Sequence, residues 1–168
     1  MIERIAVIGI SGSGKSTFAR ALGTKLALPV RHGDELDWLP YWRERPAEDL
    51  NAIHARWLAE PHWIIEGWID KDRVSRLNTA DLVVDLDFSR WVCTWRIAKR
   101  QWRGVRRAEM PEGCIDRFEP KVFVWVFGKM ERPSIDAALT AARIKNYVRL
   151  TSPRHAARWL AALAQSLL

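Results

Sequence analysis

An α/β fold, in a single domain with helices layered on an open sheet, is what this sequence predicts, on three observations. A short apolar run (Ile2, Ile5, Ala6, Val7, Ile8) ends in a glycine-rich turn, and that turn opens into a helical pattern (Phe18, Ala19, Leu22, Leu26). The order strand, loop, helix then repeats until five such units are read. The chain has 168 residues, enough for one full core and too few for two ordinary ones.

The first unit carries the strongest signal. Gly9 to Ser16 reads GISGSGKS and fits G-x-x-x-x-G-K-[ST] in the required place between strand and helix. Gly12 and Gly14 let the backbone turn its N–H groups inward and approach a polyphosphate with no Cβ in the way, while the helix N-terminus adds partial positive charge. Lys15 then reaches the β- and γ-phosphates, and the Ser16 hydroxyl is placed to ligate Mg²⁺. The expected nucleotide cradle is Gly9, Ser11, Gly12, Ser13, Gly14, Lys15, Ser16 and Thr17, with ATP and Mg²⁺ as cofactors.

Pro29-Val30-Arg31 reads as the second strand, followed by HGDELDW from His32 to Trp38. A carboxylate just past the C-terminal end of a strand lies in the crevice where open α/β sheets bind ligands, so Asp34 is expected to touch the substrate. Asp37 is the weaker choice, because the same stretch reads as a solvated loop. From Pro46 to Glu60, Leu50, Ile53, Trp57 and Leu58 recur at helical spacing, and Pro61 marks the stop. The third strand, His62 to Gly67, ends in an acid and a glycine. Glu66 is therefore expected to hold the waters of a nucleotide-bound Mg²⁺, the alternative being a cap or an ion pair with Lys71, Arg73 or Arg76.

Leu82 to Phe88 is the fourth strand, with Asp87 near the crevice and Asp85 a strand-interior acid that calls for a basic partner. Ser89 is a plausible N-cap for the helix that runs to about Arg103. On that helix Trp91, Trp95, Ala98 and Trp102 form one stripe, and Arg96, Arg100, Arg103 and Arg107 form another about 140° away. Arginine at all four cationic positions suits bidentate phosphate contacts, so Arg96 and Arg100 are expected to bind phosphate. Gly104 to Pro120 reads as a mobile segment, and Val122 to Phe127 fits either a strand or a helix. Pro133 starts a helix through Ala137, Leu139, Ala142 and Ile144. Tyr147 to Thr151 makes the fifth strand, and Ser152-Pro153 caps a last amphipathic helix.

Composition bounds the remaining possibilities. No apolar run approaches the ~20 residues that span a bilayer, and the N-terminus enters a strand directly, which predicts a cytosolic protein without membrane association. Cys93 and Cys114 have neither metal-ligand spacing nor a disulfide framework. The net charge of +7 suits polyanionic partners, nucleotides or nucleic acid. The ten tryptophans are expected to pack in the core or line a cleft. No N-K-x-D-like segment is present, which argues against guanine recognition.

With GISGSGKS after the first strand and WRIAKRQWR after the fourth, the chain resembles the adenylate-kinase-like branch of P-loop kinases. HGDELDW, WIIEGW, LDFSRW and Glu112 to Cys114 are more closely similar to bacterial adenylate-kinase-related proteins known as DNA topology modulation proteins. The resemblance implies a three-layer α/β/α domain over residues 1–168, a five-stranded parallel sheet of order 2-3-1-4-5, and a helical lid at about 104–132. It also implies Arg96 stacked on adenine, Arg100 on phosphate, Arg103, Arg106, Arg107 and Arg132 as lid or lid-proximal cations, and the loop from Ser152 to Arg154 beside adenine. Glu66-Gly67 matches the Asp-Gly pair of nucleotide kinases with a longer acid. The Phe-Pro-Arg that follows that pair is replaced by Trp68-Ile69-Asp70-Lys71, which weakens AMP as acceptor. HGDELDW is also similar to the GD motif of sugar-acid kinases, whose aspartate faces a substrate hydroxyl. The activity implied is transfer of the ATP γ-phosphoryl group to a nucleoside monophosphate or hydroxylated metabolite by a monomer or homodimer. The alternative is an ATP-dependent DNA-binding protein that uses the same arginines.

Overall fold

The structure is a computed structural model that describes residues 2–69, 73–104, 110–114 and 131–165. Along the chain run β1 (Arg4–Gly9), α1 (Lys15–Leu26), β2 (Val30–His32), α2 (Gly33–Asp37), β3 (Trp38–Leu39), β4 (Arg43–Glu44) and α3 (Ala47–Ala59). They are followed by β5 (Trp63–Glu66), α4 (Val74–Thr79), β6 (Leu82–Leu86), α5 (Arg90–Arg103), α6 (Glu131–Ala141), β7 (Tyr147–Leu150) and α7 (Pro153–Gln165). β1 sits at the centre because its Ile5-Ala6-Val7-Ile8 run is wholly buried and needs a strand on each edge and a helix layer on each face. It pairs in parallel with β5 and β6, whose WIIE and LVVDL are buried along their whole length.

The parallel sheet has the order β2-β5-β1-β6-β7. This differs in detail from 2-3-1-4-5, because the chain also makes a small antiparallel hairpin from β3 and β4, so the long strands after β2 move up two places in the count. α1 packs on β5 and α7, and α4 packs on β1 and α6, giving helices on either side of one core.

Several expectations differ from the structure, each for an identifiable reason. The stretch after β2 is not a solvated loop: it folds into α2, the hairpin and a 3₁₀ turn at Pro40–Trp42. Its anchor lies far along the chain, where Tyr41 N–H donates to Glu112 O (3.0 Å) and Trp42 N–H to Cys114 Sγ (3.3 Å). Met110 and Cys114 are accordingly buried, so 110–114, which reads as part of a mobile segment, packs against this turn. The rest of the predicted lid, residues 105–109 and 115–130, lies outside the described residues, and with it Arg106, Arg107 and the strand-or-helix question at 122–127.

On α5 the tryptophan stripe is not the buried face. Trp91, Trp95 and Trp102 are 70, 69 and 88% exposed, while Cys93, Ile97 and Gln101 turn inward. The close approach of Gly12 to the first turn of α5 accounts for the choice, since small or slender side chains fit where indoles do not. Ser89 stands at the N-cap without a side-chain capping bond. Ser152 does cap α7, its Oγ accepting from His155 N–H at 3.2 Å. On α6 the fully buried positions are Ile135 and Ala138; of the expected stripe Leu139, Ala142 and Ile144 pack half-buried against the core while Ala137 is exposed, and the helix stops at Ala141.

Candidate functional site

The C-terminal ends of β1, β2 and β5 open into a cleft of about 1050 Å³ lined by Ser11 to Thr17, by α5, by α2 and by the hairpin. The loop that forms its floor turns through left-handed glycines, Gly12 (φ 80°) and Gly14 (φ 92°). Gly12 cannot be anything larger here, because an added Cβ would lie 2.4 Å from the Cys93 carbonyl oxygen. At Gly14 the N-cap position of α1 has no side-chain capping bond, and no acid stands in the first turn. Uncapped first-turn amides with no competing carboxylate fit a phosphate group.

Cations surround that anion site. Lys15 Nζ donates to Ile10 O at 3.1 Å, folded across the loop against a neutral carbonyl that a phosphate oxygen would outcompete. Arg96 Nη1 donates to Ser13 O at 3.0 Å and its guanidinium lies 5.7 Å from the centre of the Phe88 ring. Arg96 and Arg100 both line the cleft. Of the loop from Ser152 to Arg154, Pro153 lines the cleft beside Ala156, while Arg154 is exposed and is not among the lining residues. Arg103 is exposed at the end of α5.

Glu66 lines the cleft with its side chain buried, and its Oε1 lies 2.8 Å from His32 Nδ1, which donates to the carboxylate. The register that sets His32 opposite Glu66 is a sheet property, so no local signal picks out His32. Close approach makes this corner: the Gly33 Cα lies 3.0 Å from where a Cβ on Gly67 would sit, so α2 begins directly against the end of β5. Asp34 thereby joins Glu66 in the cleft wall. Among the described residues no group of three or more acid, histidine or cysteine side chains could hold a metal alone. Ser16 and Glu66 both line the cleft and carry oxygens of the kind that Mg²⁺ takes directly or through water.

The other acids have structural partners. Asp37 lines the cleft but forms a two-pronged ion pair with Arg73, at 2.6 and 3.2 Å. Asp87 is outside the lining and pairs with Arg149 and with Arg132 (3.2 Å). Asp85, fully buried, finds the basic partner it needs in Arg132 at 2.8 Å and accepts from the Tyr147 hydroxyl at 2.8 Å. Burial raises the Asp85 carboxyl above its usual value, opposed by the Tyr147 bond and Arg132, and Tyr147 is pushed up to about 12 by burial and then by Asp85. Arg132, expected as a lid cation, is therefore bound into a network on β6 that includes Asp136 at 2.7 Å. His54 on α3, buried where leucines and isoleucine suggested the core face, is held at about 4 by burial, with Arg76 and Arg73 adding repulsion.

No protein-family model matches the chain, and no curated protein matches it in sequence. Its similarity is to solved structures. Shikimate kinase from Acinetobacter baumannii, solved with shikimate, superposes with a TM-score of 0.62 at 15% identity, over 99% of this chain and 93% of that one. A gluconokinase from Sinorhizobium meliloti gives 0.53 at 20% identity, over 98% and 95%. An unliganded sugar kinase from a Janibacter species gives 0.56 at 16%, over 100% and 93%. The fold is that of P-loop kinases. A P-loop kinase fold puts its glycine loop between the first strand and first helix, where GISGSGKS stands between β1 and α1. No helix among the described residues is long and apolar enough to cross a membrane.

Proposed function

We propose that the protein is a Mg²⁺- and ATP-dependent kinase that transfers the γ-phosphoryl group to a hydroxyl of a small acceptor. The observation that carries this reading is the uncapped start of α1 behind a left-handed glycine loop, facing one cleft that Lys15, Arg96 and Arg100 line together with Asp34. Phosphoryl transfer asks little covalent chemistry of a protein, and most of the acceleration comes from positioning and charge neutralisation. The loop amides and Lys15 hold the phosphates, and Arg96 and Arg100 offset charge as it shifts to the leaving oxygen. Mg²⁺, when bound through Ser16 and water held by Glu66, supplies further neutralisation of the phosphate oxygens. Asp34 orients the acceptor hydroxyl and takes its proton. The kinase relatives in structure support this class of reaction, and two buried free thiols suit a cytosolic setting.

The DNA-binding alternative draws on the same arginines. That Arg96 and Arg100 line the cleft instead of extending an outer cationic face supports the kinase reading. Lys15→Ala should abolish ADP release in the presence of acceptor while leaving the circular dichroism spectrum and melting temperature unchanged. Wild-type turnover by that variant would remove the mechanism. Salt-steep duplex binding without phosphoryl transfer would favour the alternative.

A further inference from the structure

The cleft has two ends of opposite charge. At the phosphate-loop end, α1 and α5 contribute Lys15, Arg20, Arg96 and Arg100 to the lining and no carboxylate among their described residues, with Glu66 marking the boundary. Beyond Glu66, the end built by α2, the hairpin and the segment before α4 carries Asp34, Asp37 and Glu44 against Arg45 and Arg73. Both guanidiniums there are engaged. Arg73 grips Asp37 through two nitrogens, and Arg45 donates to the carbonyls of Leu36 (2.8 Å) and Glu35 (3.2 Å). Among the described residues, an acceptor with a phosphate or carboxylate would have to draw one of them away while approaching Asp34 and Glu44, so like charge and lost bonds both oppose it.

Three indoles make up the wall of the same end. Trp38, Trp42 and Trp68 line it, the rings of Trp38 and Trp42 set edge to face with centroids 5.3 Å apart and 80° between planes. Apolar ring faces with a few carboxylate acceptors at their margin suit a molecule with a C–H face and a rim of hydroxyl or ammonium donors. Resting on the kinase reading above, we infer that the acceptor is a sugar without an acidic group, neutral or amino-bearing, seated on these tryptophans with its donors on Asp34 and Glu44. A sugar hydroxyl oxygen forms the new bond to the γ-phosphorus as the bond from that phosphorus to the β,γ-bridging oxygen breaks. ADP leaves with the electron pair, and the hydroxyl proton goes to the Asp34 carboxylate.

The test is a panel assay on the full chain with Mg·ATP. Aldohexoses, amino-hexoses, the corresponding aldonic acids and nucleoside monophosphates are each supplied, following ADP release and the mass of the product. At least one neutral or amino sugar should be phosphorylated with kcat/KM about tenfold or more above that of its own aldonic acid. Asp37→Asn, which releases Arg73, should narrow that ratio, and Trp42→Ala should raise the KM for sugar but not for ATP. A preference for aldonic acids or nucleoside monophosphates, or no sugar turnover by protein that still binds Mg·ATP in calorimetry, overturns the inference and leaves nucleotide binding intact. If Mg·ATP itself does not bind, the kinase reading falls and takes this inference with it.

Discussion

Replacing Gly12 by alanine would set a methyl group 2.4 Å from the Cys93 carbonyl oxygen, 2.9 Å from its carbon and 3.0 Å from Ile97 Cγ1. Two of those atoms belong to the backbone of α5, so the clash cannot be relieved by a rotamer change. Either the loop or the first turn of the helix must retreat by about 1 Å, an overpacking that costs about 1–3 kcal/mol. The φ of 80° adds about 1 kcal/mol for a residue that carries a Cβ. If the combined cost falls on the phosphate-binding shape of the loop, the Kd for Mg·ATP rises by about thirtyfold to a thousandfold. If it falls on the fold, the melting temperature drops instead. Calorimetric titration with Mg·ATP and a thermal melt of the same sample distinguish the two. Gly104→Ala serves as the comparison: its φ is also positive, at 56°, but no atom of the described residues lies within 4 Å of the new Cβ, so only stability should change, by about 1 kcal/mol. Wild-type values in both measurements for Gly12→Ala would refute the close apposition of loop and α5.

Other consequences can be measured with the same material. Arg96→Ala removes a charged donor from the loop carbonyl of Ser13 and a cation from the cleft, and should weaken Mg·ATP binding by about ten- to a hundredfold in calorimetry, with folding intact. Asp85→Ala leaves a buried cavity, takes from Arg132 its buried partner while Asp87 and Asp136 remain, and removes the acceptor of the Tyr147 hydroxyl. It should cost about 3 kcal/mol in urea unfolding and little in ATP affinity. His54 gives a pH dependence with a defined sign. Its folded value, about 4, lies below the usual 6.5, so the unfolded chain binds the extra proton between these values, and stability falls as pH drops from about 6.5 to 4. The loss amounts to about 3 kcal/mol, and His54→Leu should flatten that part of the urea-unfolding profile.

What was legible in the sequence follows from the range of each interaction. GISGSGKS and the apolar strands are local, and they placed β1 and α1 because their determinants lie within a few residues, whereas the order of the sheet came from the family resemblance. Glu66 and Asp34 were singled out because strand ends are legible, and both line the cleft. The hairpin was missed because its hold comes from Glu112 and Cys114, far along the chain. The tryptophan stripe of α5 misled for a related reason: periodicity finds a face, but which face turns inward is decided by Gly12, which has no room for an indole. α4, at six residues, is too short to show a period. Arg132 looked like one more cation for phosphate until the buried charge of Asp85 claimed it.

Titration of the wild-type protein and of Lys15→Met with Mg·ATP, at matched concentrations, tests nucleotide capture by the loop most directly. Saturable one-to-one heat with the wild type, strongly reduced in the variant, is the predicted result. Equal heats from the two proteins, or none from either, would contradict it.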